Sequence, residues 1–203
     1  MATPNTLQGI KTLIRGFINR TDLSEDLLES AINVALQKAQ RKLRVPFMEI
    51  SGTVTLAAGD NVTPIPGNYL ELKSMYANKK PLERKSLGYL YSLQETTGTP
   101  IYFAREGGSW LLYPTPDGPV ELKSIFYGEL EPLEEPEDTN VLLAISSDMV
   151  LWWALSFLGE WFEDARSDKW EAKAIGIALE LQEQADTQEY SGSTLFINNT
   201  SDY

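Results

Sequence analysis

The apolar residues of this chain change period twice, and those two changes limit its fold more than any motif. Leu7, Ile10, Ile14, Phe17 and Ile18 recur on one helix face, behind Asn5 or Thr6 as a cap. Leu28, Ile32, Ala35, Ala39 and Leu43 form a second such face after Ser24, and Pro46 ends it. The short link 19–23 predicts an antiparallel helical hairpin. From Glu49 the pattern alternates. Val54 and Leu56 oppose Thr53 and Thr55; Leu70, Leu72 and Tyr76 oppose Glu71, Lys73 and Met75; Val120, Leu122 and Phe126 oppose Glu121, Lys123 and Ile125. Between them, residues 101–104 and 110–113 are apolar runs joined by Gly107-Gly108, which predicts a hairpin, and residues 86–94 predict a short helix. About six short strands at this spacing suggest a small sandwich or open barrel.

After the acidic, proline-bearing segment 129–140 the helical period returns. Ser147 is the expected cap of a helix over 148–164 with apolar residues all round: Leu151, Trp152, Trp153, Leu155, Phe157, Leu158, Trp161 and Phe162. A helix of this kind is buried on all sides, by its own fold or by a partner. Trp170, Ala174, Ile177, Ala178, Leu181 and Ala185 then mark one stripe of a last helix. The fold class read from this order is α+β, a helical bundle of N- and C-terminal helix pairs with an inserted small antiparallel β module and an extended C-terminal arm. The expected boundaries are 1–46 for the first helix pair, 47–128 for the β module, 129–140 for an acidic connector, 141–186 for the second pair and 187–203 for the arm.

Composition removes whole classes of chemistry. The chain has no histidine and no cysteine, so Ser-His and Cys-His nucleophiles, thiolate chemistry and His- or Cys-based zinc sites are excluded. The net charge of −12 is unevenly spread: residues 129–189 carry sixteen acidic against three basic side chains. Such a chain is a poor binder of phosphate backbones, which need clustered Lys and Arg. No basic, apolar leader is read at the N-terminus. The run 149–162 is broken by Ser156, Gly159 and Glu160 and falls short of the roughly 20 residues of a membrane span. The expectation is a cytosolic chain, or one assembled inside a cell.

The candidate sites are weak as chemistry. Glu160, Glu163 and Asp164 have helical spacing for a hard cation or an acid pair, and read more simply as a solvated face. Gly107-Gly108-Ser109 lacks the spacing of a phosphate loop. Lys38, Arg41, Lys42 and Arg44 complement the helix dipole at the end of the second helix, or contact DNA or an acidic neighbour. Trp152, Trp153 and Trp161 read as core or interface rather than as a sugar platform. The patch Leu195-Phe196-Ile197, in a polar tail without Lys or Arg, is either a frayed end or an arm that folds against a partner.

Several phrases resemble, in order, the head-to-tail adaptor (connector) proteins of tailed bacteriophages, especially the podovirus-like group. They are Ile65-Pro66-Gly67-Asn68-Tyr69-Leu70; Gly98-Thr99-Pro100-Ile101-Tyr102; Leu111-Leu112-Tyr113-Pro114-Thr115-Pro116; Phe126-Tyr127; Pro132-Leu133; Asn140-Val141-Leu142-Leu143; and the stretch 148–155 followed by Asp164-Ala165-Arg166 and Trp170. The similarity covers roughly residues 6–186, with Ser147 where the family often has proline.

The resemblance implies a non-enzymatic virion protein without cofactor or metal, assembled in the host cytoplasm. It implies a ring, typically of twelve copies, beneath the portal protein, which extends the DNA channel and offers a platform to the tail tube, nozzle or other tail proteins. Genomic DNA would pass without specific binding, and no membrane is involved. Under that reading Tyr190, Leu195, Phe196, Ile197 and Tyr203 dock on the portal, and Trp152, Trp153, Phe157 and Trp161 make ring contacts. Glu129, Glu131, Glu134, Glu135, Glu137 and Asp138 line the channel, where like charge keeps DNA from sticking. The alternatives are a phage-associated peptidoglycan hydrolase using paired carboxylates, a tail tube or gatekeeper subunit, and a carbohydrate-binding module.

Overall fold

The structure, a computed structural model, describes residues 5–190, with Tyr190 through its backbone. In chain order the elements are α1 (Leu7–Ile18), α2 (Glu25–Lys42), β1 (Glu49–Leu56), β2 (Val62–Pro64), β3 (Tyr69–Ala77), β4 (Lys80–Pro81), β5 (Glu83–Arg84), α3 (Leu87–Ser92), β6 (Tyr102–Glu106), β7 (Ser109–Tyr113), β8 (Val120–Gly128), α4 (Val141–Trp161) and α5 (Ser167–Tyr190). They form two units, one from residues up to Phe47 together with those from Leu130, the other from Met48–Glu129. The class is α+β.

In the helical unit, α4 packs against α1, α2 and α5. Thr6 and Ser24 cap the first two helices, each accepting a backbone N–H with its hydroxyl. Leu28, Ile32, Ala35, Ala39 and Leu43 are all buried, as their spacing required. Phe17 departs from expectation: it is 46% exposed and meets Trp152 edge-on. A charge takes a place on the buried face of α1 instead. Lys11 is 7% exposed and donates to Glu29 at 2.6 Å, with Glu25 at 3.7 Å.

α4 starts seven residues before the expected Asp148. Asn140 is its cap: Oδ1 accepts the Leu143 N–H at 2.9 Å, while Nδ2 donates to the Glu131 carbonyl at 3.2 Å. The helix kinks at Ser146 (φ −146°, ψ 62°), where the Asp148 carboxylate accepts from the Ser146 hydroxyl and the Met149 N–H. Ser147 therefore marks the break between two helical segments rather than a beginning. Asn140→Ala is expected to cost about 1–2 kcal/mol, because it removes a cap and leaves the Glu131 carbonyl without its donor. The check is the urea midpoint at unchanged slope; no shift would mean that the turn after Asn140 adds nothing to stability.

α4 has 21 residues and contains an 18-residue stretch of mean hydropathy 1.8, long and apolar enough to cross a membrane, further than the run 149–162 suggested. Its contacts with three other helices make it the core helix of this unit. The stripe expected on α5 is the one that packs: Trp170, Ala174, Ala178 and Ala185 are buried. α5 continues through Tyr190, so residues 187–190, assigned above to the arm, are helical; the Thr187 hydroxyl donates to the Glu183 carbonyl.

The β unit holds two four-stranded sheets, in the orders β1-β8-β3-β4 and β2-β7-β6-β5. One core joins them, with Leu56, Met75, Val120 and Leu122 from the first and Phe103, Trp110 and Leu112 from the second, so the sandwich reading holds. Eight strands replace the expected six because β2, β4 and β5 have only two or three residues each. The module is antiparallel except for β5, which runs parallel to β6. On β3 the alternation inverts. Register shifts against β8 at Tyr69/Glu71 and Leu72/Ser74 bring Met75 inward, 2% exposed, where simple alternation placed it with Glu71 and Lys73 outside. β6 and β7 form the expected hairpin around Gly107, whose φ of +58° suits glycine. Ile101 lies before β6 and is 49% exposed. Ser86 caps α3 through the Tyr89 N–H.

Candidate interaction surfaces

The four aromatic residues expected at ring contacts separate by position on α4. Trp153 is 0% exposed and offers nothing to another subunit; it belongs to the core. Trp152 and Phe157 are half-buried. Trp152 carries Phe17 on its edge (centroids 5.3 Å, 72°) and the Lys173 ammonium 3.9 Å from its ring centre. Trp161, the last residue of the helix, is 64% exposed. Next to it in sequence, Phe162 lies under the Arg20 guanidinium at 4.0 Å. The participation of Phe17, Arg20 and Lys173 was not read from the sequence. Phe17 fits the apolar period of α1, and no local signal assigns the cations to a ring.

The acidic connector is partly structural. Leu130 and Leu133 are buried and anchor it. The Pro136 and Asp138 carbonyls accept the Gln8 and Leu7 N–H groups, each at 2.8 Å, satisfying two of the free donors at the start of α1. The Asp138 carboxylate accepts the N–H groups of Glu135 and Glu134 at 2.8 and 2.9 Å, which holds it below its ordinary carboxylate range. Asp138 thus shapes the turn, with its charged carboxylate held by two backbone donors. Glu131, Glu134, Glu135 and Glu137 are exposed, as is Glu129 at the end of the β unit.

The basic cluster is also partly committed. Lys38 pairs with Glu171 at 3.2 Å. Gln182 Oε1 accepts the Arg44 N–H and its Nε2 donates to the Arg44 carbonyl, while the Arg44 guanidinium donates to the carbonyls of Gln40 and Leu43 at the end of α2. Arg41 and Lys42 are exposed.

Glu160, Glu163 and Asp164 sit where α4 stops. Glu163 has φ +54°, and the Asp164 N–H donates to the Gly159 carbonyl at 2.8 Å. Among the described residues no group of three or more acidic side chains is placed to hold a metal. The Arg166 side chain, and then its N–H, hold the Asp164 carboxyl at about 2, against 3.8 ordinarily. A depressed folded-state value stabilises the protein above the ordinary value, and that contribution disappears as pH falls through about 2. The difference in Tm between the native chain and Asp164→Asn should therefore be positive near about pH 5 and vanish at about pH 2. A difference independent of pH would contradict the pairing.

A groove of about 800 Å³ in the β unit is lined by Leu90, Tyr91, Leu111, Tyr113 and neighbouring residues, and holds one carboxylate, Glu95. Of the expected portal-docking residues, Tyr190 ends α5, and Leu195, Phe196, Ile197 and Tyr203 lie outside the described residues.

No curated protein matches the chain. A family model described as the SU10 adaptor protein matches residues 5–195, nine residues further than the similarity at 6–186 and into the arm. The match takes in both helix pairs, the whole β unit, the connector and Leu195. The chain belongs to the SU10 adaptor protein family, which makes it a phage adaptor protein and a structural component of the virion.

Proposed function

We propose that this protein forms a ring beneath the portal at the capsid vertex, extends the DNA channel there and presents the platform on which the tail assembles. The ring would have twelve copies and form in the host cytoplasm, as the resemblance to connectors implies. The observation that carries this reading, beside family membership, is Trp161: a large apolar side chain, 64% exposed, at the end of the helix that also carries the buried Trp153 and Leu158. Isolated apolar residues on surfaces are common, but Trp is enriched where subunits meet. The exposed carboxylates of the connector suit a channel wall that DNA crosses without adhering, since like charges repel. The arm supplies a segment for a neighbouring protein.

Trp161→Asp tests this. The variant should melt as the native chain does, within about 0.5 kcal/mol, because its side chain is outside the core. Ring formation with portal protein, followed by native mass spectrometry, should weaken at least about tenfold, as expected when an interface anchor is lost. A variant that assembles like the native chain would overturn the role of Trp161, and a native chain that stays monomeric with portal would overturn the ring.

A further inference from the structure

Four strands form the edges of the two sheets: β1 and β4 in one, β2 and β5 in the other. An open edge pairs with whatever strand reaches it, and proteins avoid this by keeping edges short or by placing charge or proline on them. Three of these edges follow that rule. β4 is Lys80-Pro81, β5 is Glu83-Arg84, and β2 is three residues ending in Pro64. β1 does not. It is eight residues long, and no charge or proline occurs from Ile50 to Gly59. It pairs with β8 along its whole length on one side and, among the described residues, with no strand on the other.

Val54 shows what the open side lacks. It lies opposite Leu122, which is 2% exposed, on the face that also holds Leu56; yet Val54 itself remains 43% exposed. Ser51, Thr53 and Thr55 are exposed as well, so nothing among the described residues covers this edge. The chain also carries a segment whose composition suits it. Residues 191–201 contain no charged side chain, and Thr194-Leu195-Phe196-Ile197 has the composition of a strand.

We propose that the arm of one copy adds as a strand to the open edge of β1 in the next copy of the ring. Successive side chains alternate, so Leu195 and Ile197 cover Val54 while Phe196 lies with Thr53 and Thr55. Pairing of β1 with a second β1 would be self-complementary and stop at two copies. An arm-to-edge contact joins different surfaces and propagates around a ring. The inference rests on the ring reading and replaces the portal as the acceptor of Leu195, Phe196 and Ile197.

The absence of cysteine permits a direct test. Thr55→Cys and Phe196→Cys chains are mixed, assembled with portal protein and treated with a short bismaleimide. A mixed cross-linked dimer that needs both populations is expected, and Val54→Lys in the Thr55→Cys chain should lower its yield at least tenfold without changing that chain's Tm. Cross-linking of Phe196→Cys to the portal, dimers of Thr55→Cys alone, or a ring without the mixed dimer would each overturn the arm contact and leave the ring standing. Chains that remain monomeric with portal in native mass spectrometry would overturn both.

Discussion

Trp153→Ala is expected to destabilise the helical unit by about 3–5 kcal/mol, a large share of the roughly 5–15 kcal/mol that holds a domain together. The side chain is 0% exposed on the helix that contacts α1, α2 and α5, so the cavity left behind has no single loop that can collapse into it. Among the described residues the indole Nε1 has no hydrogen-bond partner, and Trp153→Phe would remove that buried donor while keeping most of the apolar volume. Phenylalanine should therefore recover most of the loss. Urea unfolding followed by far-UV circular dichroism measures both variants; a loss below about 1 kcal/mol for alanine would show that Trp153 is not a core residue. Trp161, eight residues later on the same helix, is expected to affect assembly instead of stability.

Gly159→Leu should be almost as damaging, for the opposite reason. Here α5 approaches α4 so closely that a Cβ at Gly159 would lie 3.0 Å from the Ser167 Cβ, 3.2 Å from its Cα and 3.1 Å from the Trp170 ring. Backbone and a buried ring cannot swing aside as a flexible side-chain end can. A residue other than glycine gains up to about 1 kcal/mol of helix propensity, but a leucine must push the two helices apart, at about 1–3 kcal/mol or more. The clash wins. Gly176, inside α5, has open space where a Cβ would go, so Gly176→Ala should instead add about 0.5–1 kcal/mol. Opposite signs at two helical glycines are the expected result in thermal melts; stabilisation at both would mean that the contact between α4 and α5 is looser than 3 Å contacts allow.

The helices were readable because their apolar faces repeat over several turns and their caps are side chains of the expected kind, Thr6 and Ser24. The first segment of α4 was not, because its signal is a single cap, Asn140, whose partner Glu131 lies in another segment. In the β unit, long strands with one buried face declare themselves, as β8 does. β4 and β5 have two residues each and no period to detect, and the inward turn of Met75 depends on bulges set by pairing with β8. The site was legible in kind and only partly in detail. An apolar helix rich in tryptophan pointed to core or interface, but which tryptophan does which depends on the packing around it: Trp153 faces the core, and Trp161 ends the helix in solvent.

The two ends of the β insertion are partners in one ladder, since Glu49 pairs with Tyr127. This bears on the order in which the chain folds. Bringing α4 to α1 and α2 requires closing a loop of about eighty residues, which costs on the order of 3 kcal/mol more entropy than closing a link of a few residues. Once β1 and β8 have paired, that loop is already closed, and the two halves of the helical unit are delivered to one place. During synthesis the first helix hairpin leaves the ribosome before the insertion and has no α4 to pack on. On loop entropy alone, pairing β1 with β8 before α4 docks is the less costly order, since Glu49 and Tyr127 are then neighbours in one ladder when the last helices arrive.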